Sequence, residues 1–362
     1  MNESSLNLLR DLSLAHGVPG HEGVVRSIFA RELAGFDLST DRLGGVAARR
    51  KGASGPTVVL AGHMDEVGFL VHGISSDGFI SVVPVGGWWT HTLLSQRVRI
   101  LTRSGREILG VFGATPPHFL SEDARSKILP MDSLTVDVGA RDRSDVTDTL
   151  GIQPGDPVAP EVPFTELPVP GRVMGKAFDN RAGMAVVIQA MRELHADGKT
   201  PPCDVVAVGT VQEEVGTRGA RTMGSHLTPD VFLILEAPPA DDTPGAVKGE
   251  YQGRLGGGVQ IRMFDPTAVM NPGLANFAID VAREQRIPHQ VAVRRSGGTD
   301  ASAFQYAGEG APCVVLGVPV RYIHAHNGIL DLQDLKAALD LVKAMVSRLD
   351  SATVAGFTRY LA

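Results

Sequence analysis

Apolar residues recur every three or four positions early in the chain, which predicts helices over residues 6–15 and 23–33. A β-branched run at 57–62 then predicts a buried strand. Between about residues 68 and 163 the pattern changes to short alternating runs separated by glycine and proline, typical of a small all-β module. These runs are 79–85, 97–101, 108–112 and 133–138. Closely spaced prolines from Pro154 to Pro170 indicate the crossing back to another domain.

After residue 170 predicted strands alternate with predicted helices. The runs 205–211 and 231–235 are continuously apolar, as expected of parallel strands covered on both faces. Helices are predicted over 180–194, from Pro272 to residue 282, and after a capping Asp331, where the apolar stripe extends to Leu349. We therefore predict an α/β domain of residues 1–67 and 164–362, with a mostly parallel sheet flanked by helices, interrupted by an all-β module at 68–163.

Composition excludes several classes of function. The chain has 34 basic and 40 acidic residues and a net charge of −6, which does not suit a nucleic-acid partner. We find no apolar stretch of membrane-spanning length and no signal-peptide pattern, so no membrane partner is expected. Cys203 and Cys313 are far apart and lack C-x-x-C spacing, which indicates neither a disulfide nor a thiolate site. A cytoplasmic protein is predicted.

The candidate chemistry lies in five short patches, each beside a predicted strand end or helix start. Two imidazoles and three carboxylates suit a pair of divalent cations, with zinc and cobalt favoured and manganese a further candidate. The predicted metal ligands are His63, Asp179, Glu214, Glu236 and His324. Glu213 stays unligated in this hypothesis and is the candidate general base.

Two positions support this centre. Side chains alternate along a strand, so Asp65 is expected on the same side as His63, where its carboxylate can accept the second ring N–H. The segment 296–300 is expected either to shape the site through its glycines or to form a turn and helix cap at Asp300.

Each candidate also has an ordinary structural explanation. Asp179 can cap a helix, the glutamates can lie in exposed turns, and His324 can be a core histidine. His326 is a competing ligand two positions beyond His324. The joint occurrence of these residues at strand ends, where α/β sheets bind ligands, favours a metal centre.

The chain resembles the tetrahedral aminopeptidase family, relatives of glutamyl aminopeptidase and of proteins labelled cellulase M. The resemblance covers nearly the whole chain. The motifs that support it are A-G-H-M-D-E-V-G-F at His63, V-G-G-W at Gly86, G-V-F-G-A-T-P-P-H at Gly110, K-A-F-D-N-R at Asp179, V-Q-E-E-V-G-T-R-G-A at Glu213, A-D-D-T-P-G before Ala246, S-G-G-T-D-A at Asp300 and G-V-P-V-R-Y-I-H at His324.

This resemblance implies that His63, Asp179 and Glu236 hold one metal, and that Glu214, Asp179 and His324 hold the other. Glu213 would be the catalytic base, and Asp65 would orient His63. It also implies a zinc-exopeptidase-like domain, a β-barrel-like insert used for dimerisation, and a hollow dodecamer. The chain departs from the family where Glu236 replaces the commoner aspartate, and in A-H-N-G after His324.

We therefore predict an aminopeptidase that removes N-terminal residues from peptides, using a hydroxide shared by two cations and a glutamate base. Another dinuclear hydrolase, such as an N-acyl amino acid deacylase or a carboxypeptidase, is the alternative. Less favoured are an endoglucanase, which needs two metal-free carboxyls, and a non-catalytic scaffold.

Overall fold

The central feature of the computed structural model, which describes residues 3–50, 54–196, 200–247, 249 and 251–361, is a nine-stranded sheet. Its four middle strands run parallel, and the edges beyond them start with antiparallel pairs. In spatial order the strands are β1 (Asp37–Thr40), β2 (Val46–Arg49), β12 (Asp204–Thr210), β3 (Thr57–His63), β13 (Val231–Glu236), β17 (Cys313–Gly317), β14 (Val259–Asp265) and β15 (Ala268–Val269), while β16 (His289–Val293) pairs with β14.

The middle strands β12, β13 and β17 are buried along their full length, as their uninterrupted apolar sequences predict. Helices cover this sheet, and the long helix α4 packs against β3, β12 and β13. The helices outside the insert are α1 (Glu3–Leu14), α2 (Gly23–Glu32), α4 (Phe178–Leu194), α5 (Arg218–Leu227), α6 (Pro272–Glu284), α7 (Ala301–Phe304), α8 (Leu332–Val346) and α9 (Ser351–Gly356).

Side-chain caps explain where the late helices begin. Asp331 accepts a hydrogen bond from the backbone N–H of Gln333, which confirms the predicted cap of α8. The predicted stripe extends beyond the helix, because α8 ends at Val346 and Leu349 lies in the connection to a separate helix, α9. Asp350 caps α9 by accepting from Thr353 N–H. None of the helices in the described part of the chain is long and apolar enough to span a bilayer.

The predicted all-β module is a closed six-stranded barrel in which every neighbouring pair is antiparallel. Its own apolar core contains Phe69, Phe112 and Val158, separate from the core of the large sheet. In order around the barrel, its strands are β4 (Gly68–Ile74), β5 (Ile80–Val85), β8 (Thr135–Asp137), β7 (Glu107–Gly113), β6 (Arg97–Leu101) and β9 (Pro157–Pro160), and the short helix α3 (Glu122–Arg125) lies in the β7–β8 connection.

A third, four-stranded sheet brings distant segments of the chain together. Strand β11 ends shortly before Asp179, and β18 ends shortly before His324. Both strands pair with β19, so these two segments lie side by side. In spatial order the sheet is β10 (Thr165–Glu166), β11 (Arg172–Gly175), β19 (Gly328–Asp331) and β18 (Val320–Arg321).

Candidate metal centre

The candidate residues converge at the carboxyl edge of the parallel strands. His63 is the last residue of β3 and Glu236 is the last of β13, while the loop after β12 contains Glu213 and Glu214. The small sheet adds Asp179 and His324 from the side. Because parallel strands all end at the same sheet edge, residues far apart in sequence share one site.

Asp179 lies between the two histidines. Its Oδ1 is 3.2 Å from Nε2 of His63, and its Oδ2 is 3.5 Å from Nε2 of His324. Glu236 Oε1 lies 3.6 Å from His63 Nε2, and Glu214 Oε2 lies 3.4 Å from His324 Nε2. The described residues form three groups whose ligand atoms lie within 4.8 Å of one another: His63–Asp179–Glu236, His63–Glu213–Glu214 and Asp179–Glu214–His324. Asp179 belongs to the first and the third, so it can be shared by two cations.

Asp65 contacts both His63 and the glutamate loop. His63 Nδ1 lies 3.1 Å from the backbone carbonyl oxygen of Asp65 and 3.5 Å from its carboxylate Oδ1. The carboxylate itself accepts the backbone N–H groups of Glu213 and Glu214, each at 3.0 Å. The ring of His63 is therefore held chiefly by a carbonyl oxygen, and the carboxylate fixes the loop that contains both glutamates.

Burial makes the negative charge of this site costly. Burial and the charge of Asp179 raise the pKa of Glu214 to about 8, and burial raises the pKa of Glu213 well above its usual range. For His63, burial favours a lower pKa, but Glu213 and its other carboxylate neighbours raise the pKa well above the ordinary value. The site concentrates more carboxylates than its two imidazoles neutralise.

This donor set fits divalent cations. Among the described residues, the ion pairs of Asp179, Glu213, Glu214 and Glu236 involve only His63 and His324, with no lysine or arginine. Glu214 Oε1 is buried and has no hydrogen-bond partner. Imidazole nitrogens and carboxylate oxygens that converge without a balancing cation are suitable ligands for metals such as zinc, cobalt or manganese.

Comparison with known proteins identifies the family. The family described as M42 glutamyl aminopeptidase matches residues 44–341. The chain belongs to this family. The prediction of an aminopeptidase is confirmed, and this peptide hydrolase belongs to a family of metallopeptidases that require divalent metals.

Related aminopeptidases align with nearly the full length of this M42 peptidase. A glutamyl aminopeptidase of Lactococcus lactis is 35% identical over 97% of this chain and 98% of its own. A lysyl aminopeptidase of Pyrococcus furiosus is also 35% identical, over 94% and 96% of the two chains. Both relatives match nearly the whole chain, but they are named for different amino-acid residues.

Solved structures agree with the fold. A TET aminopeptidase from a marine sediment archaeon of the Thaumarchaeota is 38% identical, covers 99% of this chain and all of its own, and has a TM-score of 0.95. The Pyrococcus horikoshii TET1 peptidase, which can assemble into a tetrahedron or a large octahedral shell, is 29% identical with a TM-score of 0.83, covering 95% and 100% of the two chains.

His326 of the M42 peptidase lies outside the candidate centre. It is buried, its Nε2 lies 3.0 Å from the carbonyl oxygen of Arg97, and its ring is near that of Trp88. His324 has a left-handed backbone with φ of 54°, so the chain turns between these histidines. His326 therefore contacts the barrel, while His324 contacts Asp179 and Glu214.

Asp300 is a buried acid near the centre. Its carboxylate accepts the hydroxyl of Thr210 at 2.5 Å, and it makes no side-chain cap to α7, which follows it. Burial raises the pKa of Asp300 to about 7. Residues 296–300 were expected either to shape the site through their glycines or to form a turn and helix cap at Asp300. The side chain of Asp300 does not form this cap.

A cavity of about 470 Å³ is lined both by the residues of the centre and by arginines. Arg262 is almost fully buried and donates to Asp265 at 3.1 Å, while Arg294 donates to Asp241 at 3.0 Å. The Nε atoms of both arginines are buried and have no partner. Arg221 also lines the cavity, so this wall is electropositive.

Proposed function

We propose that this chain is a dinuclear metallo-aminopeptidase. His63, Asp179 and Glu236 would hold one divalent cation, and Glu214, Asp179 and His324 the other. The supporting observation is that Asp179 directs one carboxylate oxygen toward each histidine. A carboxylate shared in this way is suited to bridging two cations. Zinc and cobalt are the metals we favour, with manganese as a third candidate.

Glu213 is the proposed general base. Divalent cations supply Lewis acidity, polarising the scissile carbonyl and making a nearby water more acidic. The Glu213 carboxylate would accept the proton of the attacking water and return it to the leaving amine. It lies 3.9 Å from His63 and forms a third group with His63 and Glu214, but it does not belong to the two groups that share Asp179.

The wall of arginines favours an acidic N-terminal residue as substrate. The names of the relatives do not decide this, because glutamyl and lysyl aminopeptidases match equally well. Arg221, Arg262 and Arg294 all line the cavity beside the centre, so three guanidinium groups border the space next to the proposed metal ligands. A substrate carboxylate would accept hydrogen bonds from these donors, whereas a lysine side chain would be repelled.

Removing an arginine from this wall should reduce the preference for substrates with an acidic N-terminal residue. We expect Arg262→Gln to lower kcat/KM for glutamyl substrates about 100-fold, as removal of a charge-assisted hydrogen bond does. Alanyl and leucyl substrates should change by less than about threefold. Arg172→Gln removes a comparable pair with Asp331 outside the cavity and is the control. An equal fall for all substrates would contradict the proposal.

A substrate panel tests the function as a whole. Stripped enzyme, reloaded with zinc, cobalt or manganese, is assayed on aminoacyl, N-acyl amino acid and C-terminal peptide substrates. We expect about two metal equivalents per chain, and hydrolysis of aminoacyl substrates that is lost on chelation. Hydrolysis of blocked peptides, or activity that survives chelation, would contradict the proposal.

Assembly and location complete the proposal. We propose that residues 1–67 and 164–362 form the catalytic domain and that the insert, residues 68–163, mediates dimerisation within a dodecamer. The tetrahedral assembly of the P. horikoshii TET1 peptidase supports a closed oligomer. A reducing cytoplasm suits Cys203 and Cys313, which are buried free thiols.

A further inference from the structure

The loop after β12 contains both the proposed base and a proposed metal ligand. Three successive backbone N–H groups in this loop donate to buried carboxylates. Those of Glu213 and Glu214 donate to Asp65, each at 3.0 Å, and that of Gln212 donates to Oε1 of Glu22 at 3.2 Å. The loop is therefore held from behind by two side chains from elsewhere in the sequence.

Glu22 directs its side chain away from its own helix. It immediately precedes α2, where a side chain ordinarily accepts N–H groups of the first helical turn, yet it makes no such bond. Its Oε1 accepts instead from Gly20 at 2.8 Å and from Gln212. The side chain is buried, so these bonds are shielded from water.

The backbone of Gln212 needs such support. Its φ is 55°, in the left-handed region that residues other than glycine seldom adopt. A disfavoured conformation persists only where its surroundings hold it in place. Because Gln212 directly precedes Glu213, relaxation of its backbone would redirect the side chain of the proposed base.

The carboxylates behind the loop have their own buried cation. Arg181 is fully buried and faces the charges of Glu66, Asp65 and Glu22. Its Nη2 donates to Glu66 at 3.3 Å, and its Nη1 donates to the backbone carbonyls of Leu12 and Ala15. Burial raises the pKa of Glu22, and the N–H groups of Gly20 and Gln212 that donate to it oppose this shift.

We propose that Glu22 is a positioning residue that fixes the loop 212–214 and thereby aims the carboxyl of Glu213. The inference rests on the role of Glu213 proposed above. Asp65 holds the second and third N–H groups of the loop, and Glu22 holds the first. Without Glu22, the carboxyl group of Glu213 would no longer be held in one orientation, while the metal ligands stay in place.

Two substitutions of Glu22 distinguish its role as a hydrogen-bond acceptor from the effect of its negative charge. In metal-loaded oligomer, Glu22→Ala should lower kcat by about 10- to 100-fold, the range found when a supporting residue of a site is lost. KM should stay within about threefold and the metal content should be unchanged. Glu22→Gln keeps a carbonyl oxygen as acceptor, so its kcat should recover to within about fivefold of the wild type.

Glu22→Asp keeps the charge but is one methylene shorter, so it should also lower kcat. It replaces Glu22→Ala as the test variant if the alanine variant does not fold. Asp204→Ala is the matched control, since Asp204 is a buried carboxylate at the opposite end of β12. It should lower Tm without lowering kcat of the folded enzyme.

Wild-type kcat in both Glu22→Ala and Glu22→Asp would overturn the inference, as would loss of metal in either variant. Equal losses in Glu22→Gln and Glu22→Ala would overturn it too, because charge rather than an acceptor would then matter. Failure of the proposed function looks different, because Glu213→Gln would then itself keep the wild-type rate.

Discussion

Glu213→Gln should abolish nearly all turnover while leaving the metal centre loaded. Glutamine has the same shape but cannot accept a proton, so only the acid–base step is lost. General base catalysis contributes on the order of 10²- to 10⁴-fold, and kcat should fall by that factor. The measurements are kcat on an aminoacyl chromogenic substrate and metal equivalents by atomic emission.

Glu161→Gln is the matched control for this prediction. Glu161 pairs with Arg99 next to the barrel strands, away from the centre, and its loss should leave kcat within about twofold, as for most partly exposed ion pairs. A Glu213→Gln enzyme with the wild-type rate would remove Glu213 as the base. Loss of metal from that variant would instead make it a ligand.

Asp179→Asn should have the second large effect, because it weakens both metal sites at once. An amide supplies one neutral oxygen where the carboxylate offers two charged ones, directed to His63 and His324. We expect bound metal to fall from about two equivalents to less than one. Metal ions supply several kcal/mol of transition-state stabilisation, so kcat/KM should fall on the order of 10⁴-fold.

Asp334→Asn provides the comparison for Asp179. Asp334 is fully buried and, within the described part of the chain, accepts the backbone N–H groups of Gly256 and Gly258, so its replacement should leave the metal content unchanged. Loss of one equivalent alone in Asp179→Asn, with the other site at full affinity, would contradict a bridging role.

The parallel centre of the sheet was predictable from the sequence because full burial requires continuous apolar runs. Strand β13 was expected at 231–235 and spans Val231–Glu236. The antiparallel edges were not predicted. Strand β1 is exposed along its length and has no apolar pattern, and its place is set by pairing with β2.

The candidate residues were found in the sequence because polar groups directly after buried strands are unusual. The individual contacts of these side chains could not be predicted from the sequence. The same-side rule for alternate residues holds in extended strands, but β3 ends at His63, and the backbone at His324 is left-handed. This is why His326 contacts the barrel. The Asp65 carboxylate lies 3.5 Å from the His63 ring, as expected, and its further contacts with the backbone of the glutamate loop were not predicted.

Glu22, Arg262 and Arg294 were missed for a related reason. Glu22 has the sequence position of an ordinary helix start, Arg262 lies inside strand β14, and Arg294 directly follows β16, without a motif at either arginine. Their importance arises from contacts with residues far along the chain, which periodicity does not report. Distances between such residues are set by the packing of the whole sheet.

The order of the proposed ligands has a consequence for biosynthesis. His63 emerges early from the ribosome and His324 near the end, and the sheet places β3 between β12 and β13. A nascent or truncated chain thus lacks part of the cluster. Under the proposed function, a chain that stops short of His324 would lack a complete dinuclear site and should not cleave peptides.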